Sequence, residues 1–187
     1  MYKLDDLGFI AHPRCASRST RDLLLELGAT KHAGHHQLDD DTARNILHTG
    51  GVMACTIRNM FDVLVSWYCN AHFNNKGELL NPAACLPTFD YFVNVQLIEK
   101  PKYRWFMTPM YFYGLPWCQI RLRYERLQED TNMMLEMIGL PPVEKTLPHV
   151  GKSIGRDPDY RVYYDSSLRR AVEDRWATDL HLTNYEF

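Results

Sequence analysis

The chain has 187 residues, 45% of them hydrophobic and 24% charged, the balance of one compact soluble domain and not of a disordered or fibrous chain. Lys and Arg number 21 against 23 Asp and Glu, a net charge of −2, so no global basic field recruits nucleic acid or an acidic membrane, and any anion site must be local. No apolar run approaches the ~20 residues of a membrane helix, and the N-terminal MYKLDDLG lacks the apolar stretch of a signal peptide. The five cysteines include no CxxC pair, which argues against a disulfide framework or a zinc ribbon and leads us to expect a cytoplasmic protein.

In chain order, the apolar run Leu7 to His12 is closed by Pro13 and reads as a strand. Helical spacing follows through Leu23, Leu24 and Leu27, stopped by Gly28. A second short strand is expected from Ala29 to Ala33, and the acidic start of DDDTARNILH suits the first turn of a helix, stopped by Gly50 and Gly51. GVMACTIR is apolar enough for a strand buried on both faces. The helix NMFDVLVSWYCNAHF comes next, with Asn59 and Asp62 placed as a variant capping box. Residues 74 to 116 are rich in Asn, Pro and aromatics and read as loops and short helices. CQIRLRYE is the next strand candidate, LQEDTNMMLEMIG a helix ended by Gly139, and a last helix is expected from about Ser166 to Trp176. This alternation predicts a single α/β domain spanning residues 1 to 187, a parallel sheet flanked by helices with binding loops at the carboxyl ends of its strands.

Two loops carry groups suited to an anion. The first strand-to-helix loop, residues 12 to 20, offers Arg14, Arg18, the hydroxyls of Ser17, Ser19 and Thr20, and the backbone N–H groups of a helix start. It contains no glycine and is not a GxxxxGK[ST] loop, which disfavours an ATP-dependent kinase. The bland reading is that Ser17 or Ser19 caps the helix while the arginines are solvated. In the second loop Arg58 stands at a strand end with Ser66 eight residues on, slightly more than two helical turns. By itself this pair equally suits a structural arginine and a packed serine.

Together and in this order, the two motifs resemble the sulfotransferases that use 3′-phosphoadenosine 5′-phosphosulfate (PAPS). The family's phosphosulfate loop runs approximately hydrophobic, Pro, Lys or Arg, hydroxyl, Gly, hydroxyl, hydroxyl, and Pro13, Arg14, Cys15, Ala16, Ser17, Arg18 and Ser19 occupy it here. Its 3′-phosphate motif is matched by Arg58, Asn59, Val63, Leu64, Val65, Ser66, Trp67 and Tyr68. RYERLQEDTNMMLEMIGLP and the Tyr-rich C-terminal segment are similar to the family's corresponding regions, so the resemblance spans the chain except residues 74 to 116. Cys15, Ala16, Arg18 and Met60 depart from the pattern. Ala16 permits the family's close backbone approach if its φ is negative. The resemblance is closest to the carbohydrate sulfotransferases and suggests a minimal soluble version of bacterial or viral kind.

The resemblance implies a P-loop-like fold, PAPS as sulfuryl donor and a small-molecule or carbohydrate acceptor, with no metal, nucleic acid or membrane partner expected. It assigns Arg14, Cys15, Ala16, Ser17, Arg18, Ser19, Arg58 and Ser66 to the cofactor, and Arg14 also to catalysis. Lys152, in HVGKS, is added as a cofactor ligand because the family places a closing loop there. The segment KHAGHHQL carries His32, His35 and His36, residues suited to proton transfer or to a metal. The uronyl members of the family have their catalytic base after a glycine in this place, which makes His35, after Gly34, the expected base and His36 the runner-up. Two rival readings remain: a catalytically silent nucleotide-binding protein of the same fold, and a nucleotide or nucleoside kinase with a degenerate loop.

Overall fold

A computed structural model of the protein describes residues 1–34, 38–72, 88–94, 114–148 and 155–187. The chain forms two compact units, Met1–Arg58 with Met110–Gly151 and Asn59–Pro109 with Lys152–Phe187.

The first unit is an α/β layer structure. Its five-stranded sheet comprises β1 (Tyr2–Leu4), β2 (Leu7–Ile10), β3 (Thr30–Lys31), β4 (Val52–Ile57) and β5 (Ile120–Arg123), in the order β3-β1-β2-β4-β5. The helices α1 (Ser17–Glu26), α2 (Asp40–His48) and α5 (Leu127–Met137) belong to this unit. β2, β4 and β5 are mutually parallel, with Phe9 opposite Ala54 and Ala54 opposite Ile120.

The other half of the sheet corrects the expectation of a wholly parallel one. β1, which the sequence pattern did not reveal, turns back through Asp5 and Asp6 and pairs antiparallel with β2, while β3 pairs antiparallel with β1. The expected strand over Ala29–Ala33 shrinks to the exposed pair Thr30–Lys31. The sheet is therefore mixed. A three-residue strand is too short to display a period-two pattern, and Asp5, with φ 48°, supplies a turn that a non-glycine residue does not advertise.

The two faces of the sheet are covered by different helices. Leu7, Phe9, Ala54, Ile120 and Leu122 form one apolar core with Leu23 and Leu24 of α1 and Met134 and Leu135 of α5. Burial on this scale, at about 25 cal/mol per Å² of apolar surface, is the main force holding the layers together. On the opposite face α2 approaches closely at Gly8: a Cβ there would stand 2.3 Å from Met53 Sδ and 3.0 Å from Ile46 Cδ1. Asp39 caps α2, its side chain accepting from the Thr42 N–H. A second polar clamp ties α5 to β5. The Arg123 guanidinium makes two parallel 2.8 Å bonds to Asp130, whose Oδ2 also accepts the Arg123 backbone N–H.

The second unit contains α3 (Met60–His72), the short α4 (Phe89–Tyr91), a 3₁₀ turn at Tyr160–Tyr163, α6 (Ser166–Arg175) and α7 (Ala177–Thr183). Asn59 caps α3 as expected, its Oδ1 accepting from the Phe61 N–H at 3.1 Å. Asp62 pairs with Arg156. The Phe61 ring sits edge-on to Tyr164 at 5.2 Å and to Phe187 at 4.8 Å, and the Tyr164 hydroxyl donates to the Phe61 carbonyl. The expected final helix ends at Arg175, and the chain resumes as α7 after the buried Trp176. Among the described residues no helix is long and apolar enough to cross a membrane.

Candidate functional site

β2 and β4 are adjacent and parallel. From β2 the chain passes through α1 toward one edge of the sheet, at β3, whereas β5 extends the sheet on the far side of β4. Open α/β sheets bind ligands outside the carboxyl ends of the strands at such a reversal. The loop 11–16 and Arg58 emerge there.

The two strand ends are stitched by side chains. His12, fully buried, has its Nδ1 2.9 Å from the Thr56 carbonyl. A carbonyl only accepts, so the proton resides on Nδ1. In the sequence His12 reads only as a strand end; its place before Pro13, closing an apolar run, is the signal that marks it. One residue beyond β4, Arg58 is 7% exposed and donates from Nη1 to the Arg14 carbonyl at 2.9 Å. Its guanidinium carbon lies 3.9 Å from the centroid of the Tyr124 ring. Arg14 and Arg58, separated by 44 positions, are thus brought together.

Between Pro13 and α1 the backbone takes an unusual course. Arg14 has φ 58° and Ala16 φ 56°, both left-handed, so the negative φ on which close backbone approach at Ala16 depended is not met. Left-handed residues beside right-handed ones gather successive N–H groups toward one side, the geometry of an anion nest. Ala16 is the N-cap of α1 and has no side-chain cap bond, so the expected alternative of a serine cap is not what forms. The first N–H groups of α1 instead combine their dipoles with Arg14 nearby in sequence.

The remaining loop residues divide. Ser17 and Ser19 are buried, whereas Arg18 is exposed. The Ser19 hydroxyl donates to the Pro148 carbonyl, and its N–H donates to the Ala16 carbonyl at 3.1 Å. The Pro148 segment is itself held against α5, where Gln128 Oε1 accepts the Leu147 N–H at 2.7 Å. Cys15 is fully buried, its thiol directed to the Pro13 carbonyl at 3.3 Å. Beneath the loop, burial pushes the Cys55 thiol well above its ordinary value, and a hydrogen bond with Cys118 adds to the shift. The Cys55 thiol therefore stays protonated at neutral pH.

Ser66 lies on α3 in the second unit, 1% exposed. In that unit the Asn59 amide donates to the Tyr160 hydroxyl at 3.0 Å and to the Glu186 carbonyl at 2.7 Å. The C-terminal tyrosines thereby fix the start of α3 as part of the unit's packing. His35, His36 and Lys152 lie outside the described residues. His32, the third imidazole of its segment, has Nε2 2.9 Å from the Thr30 hydroxyl. Among the described residues no group of three or more His, Cys, Asp or Glu is gathered as a metal site would require. No protein-family model, curated protein or solved structure matches this chain.

Proposed function

We propose that the protein is a PAPS-dependent sulfotransferase with a P-loop-like site, transferring a sulfuryl group to an acceptor hydroxyl, on a carbohydrate or another small molecule. The observation that carries this reading is the Arg58 to Arg14 hydrogen bond, which joins a left-handed, helix-initiating loop to the neighbouring strand end. Two guanidinium-bearing residues and a backbone nest at the carboxyl ends of parallel strands suit a nucleotide carrying more than one anionic group.

In this reading the loop amides and Arg14 hold the 5′-phosphosulfate, with Cys15, Ala16, Ser17, Arg18 and Ser19 supplying the rest of the cradle. Arg58 serves the 3′-phosphate, and the family resemblance also assigns Ser66 and Lys152 to the nucleotide. The acceptor oxygen attacks sulfur in line as the bond from sulfur to the 5′-phosphate oxygen breaks. His35 takes the acceptor proton, and adenosine 3′,5′-bisphosphate departs with the leaving charge. The protein contributes positioning and charge stabilisation, as in phosphoryl transfer.

A second reading, a binder of the same nucleotide without turnover, is favoured by one observation: the Ser19 hydroxyl and one Arg58 N–H are already committed to internal carbonyls. Incubation with radiolabelled PAPS and a panel of carbohydrate and phenolic acceptors separates the two. Labelled sulfate ester supports the transferase. Tight nucleotide binding without product from any acceptor supports the binder.

A further inference from the structure

The register of β4 and β5 places Ile57 opposite Arg123, so Arg58 and Tyr124 are the next residues out from two adjacent parallel strands. Tyr124 opens a 3₁₀ turn there and is half-buried. Its ring lies under the Arg58 guanidinium, 3.9 Å from centroid to carbon. A stacked guanidinium keeps its N–H donors in the plane parallel to the ring, so the stack selects the direction in which those donors point. One of them meets the carbonyl of Arg14 at 2.9 Å, and Arg14 is left-handed at φ 58°.

We propose that Tyr124 is a positioning residue for the anion loop: by fixing the plane of Arg58, it directs the hydrogen bond that holds Arg14 in its left-handed turn. Tyr124 acts through Arg58 and contributes no group to the ligand in this role. A long arginine samples many rotamers unless something holds it, and ordering it before the ligand arrives removes that entropic cost from binding. Loop shape and phosphate affinity are therefore set in part by a ring on β5's far end. The ligand in this inference rests on the nucleotide reading above; the geometry does not.

The test uses the full chain with Tyr124→Phe, Tyr124→Leu and Arg58→Lys, and two readouts. The first is amide exchange of residues 15 to 17, which needs no ligand. The second is calorimetric affinity for adenosine 3′,5′-bisphosphate. Tyr124→Phe, which keeps the aromatic face, should match the wild type in both. Tyr124→Leu should speed exchange at the loop amides relative to those of β4, and weaken the nucleotide about 3- to 30-fold, the range of a cation–π contact. Arg58→Lys, which keeps the charge but has no planar face, should loosen the same amides even if Tyr124→Leu fails to fold. Adding Tyr124→Leu to Arg58→Lys should cost nothing further.

Unchanged loop exchange in both Tyr124→Leu and Arg58→Lys overturns the proposal. So does a Tyr124→Phe variant as impaired as Tyr124→Leu, or full additivity in the double variant. If the wild type binds no adenosine bisphosphate while loop exchange responds as described, the nucleotide reading falls and the positioning role stands.

Discussion

Arg58 Nη1 lies 2.9 Å from the carbonyl oxygen of Arg14, and this bond sets what each residue can do. It occupies one donor of a planar five-donor fork, and it holds a left-handed arginine against the conformational preference of a residue with a Cβ. Removal of Arg58 therefore affects the loop as well as any phosphate that Arg58 itself would meet.

Ala16 stands in the same strained stretch. At φ 56° and ψ 18° it occupies a region that glycine enters freely and alanine does not. Ala16→Gly should raise stability by about 1 kcal/mol, the order of one left-handed non-glycine residue less glycine's extra unfolded-state entropy. Ala16→Val, β-branched at the same φ, should lower it. Urea denaturation measures both, and a Gly variant less stable than the wild type would show that the alanine methyl makes a packing contribution larger than the strain.

Asp130 governs how α5 is held. Burial alone would raise its carboxyl, but the hydrogen bonds from the Arg123 side chain and backbone, with the Arg123 charge, outweigh burial and hold it below its ordinary value. A carboxyl lowered in the folded state adds stability that is complete above the unfolded value, near 3.8, and is lost as pH falls through the folded one. Asp130→Asn should cost about 1.5–3 kcal/mol at pH 7, the range for hydrogen bonds to a charged group. The gap between wild type and variant should narrow as pH drops from about 4.5 to below 3. A gap that stays constant across that range would remove the charge from the explanation.

The parallel half of the sheet was legible because β2, β4 and the strand at Ile120 are apolar runs interrupted by helical spacing and clear stops. The cap at Asn59 follows from a short polar side chain before an apolar-periodic segment, whereas Asp39, read only as part of an acidic first turn, is the N-cap of α2. Three features were not legible. β1 owes its strand to pairing across a tight turn, a tertiary effect that local pattern does not encode. The left-handed Ala16 is set by what surrounds the loop, because alanine by itself signals nothing of the kind. The Tyr124 stack depends on register between β4 and β5, which the sequence leaves open. Of the candidate site, Arg14 and Arg58 were legible as strand-end arginines, but their hydrogen bond follows from the pairing of β2 with β4, as the commitment of Ser19 to Pro148 follows from the packing of the segment after α5.

Arg14 is proposed to act on the leaving phosphate oxygen, whose charge grows during the reaction. Arg14→Ala should thus lower kcat more than it raises the dissociation constant for the nucleotide, and Arg14→Lys should recover part of the rate. Loss of binding alone, with kcat intact at saturation, would contradict that role.

His35 is proposed as the base on the strength of its position after Gly34 in the chain. His35→Ala should reduce kcat by about 10²–10⁴ with nucleotide affinity nearly unchanged. Wild-type activity should fall on the acid side, where a protonated imidazole can no longer accept a proton. A large loss in His36→Ala with a near-normal His35→Ala would exchange the two roles. Normal rates in both would take this segment out of the mechanism.

Recognition of a nucleotide by both of its phosphates, as proposed for this site, is measured by titration calorimetry of the wild type and Arg58→Ala. Adenosine 3′,5′-bisphosphate should bind the wild type more tightly than adenosine 5′-phosphate or ATP. Arg58→Ala should weaken the bisphosphate about 10- to 150-fold, the cost of a charge-assisted interaction of roughly 1.5–3 kcal/mol. The 5′-phosphate should weaken less, by the share of Arg58 that acts through the loop. Equal losses for the two nucleotides, or a wild type that prefers ATP, would contradict the account.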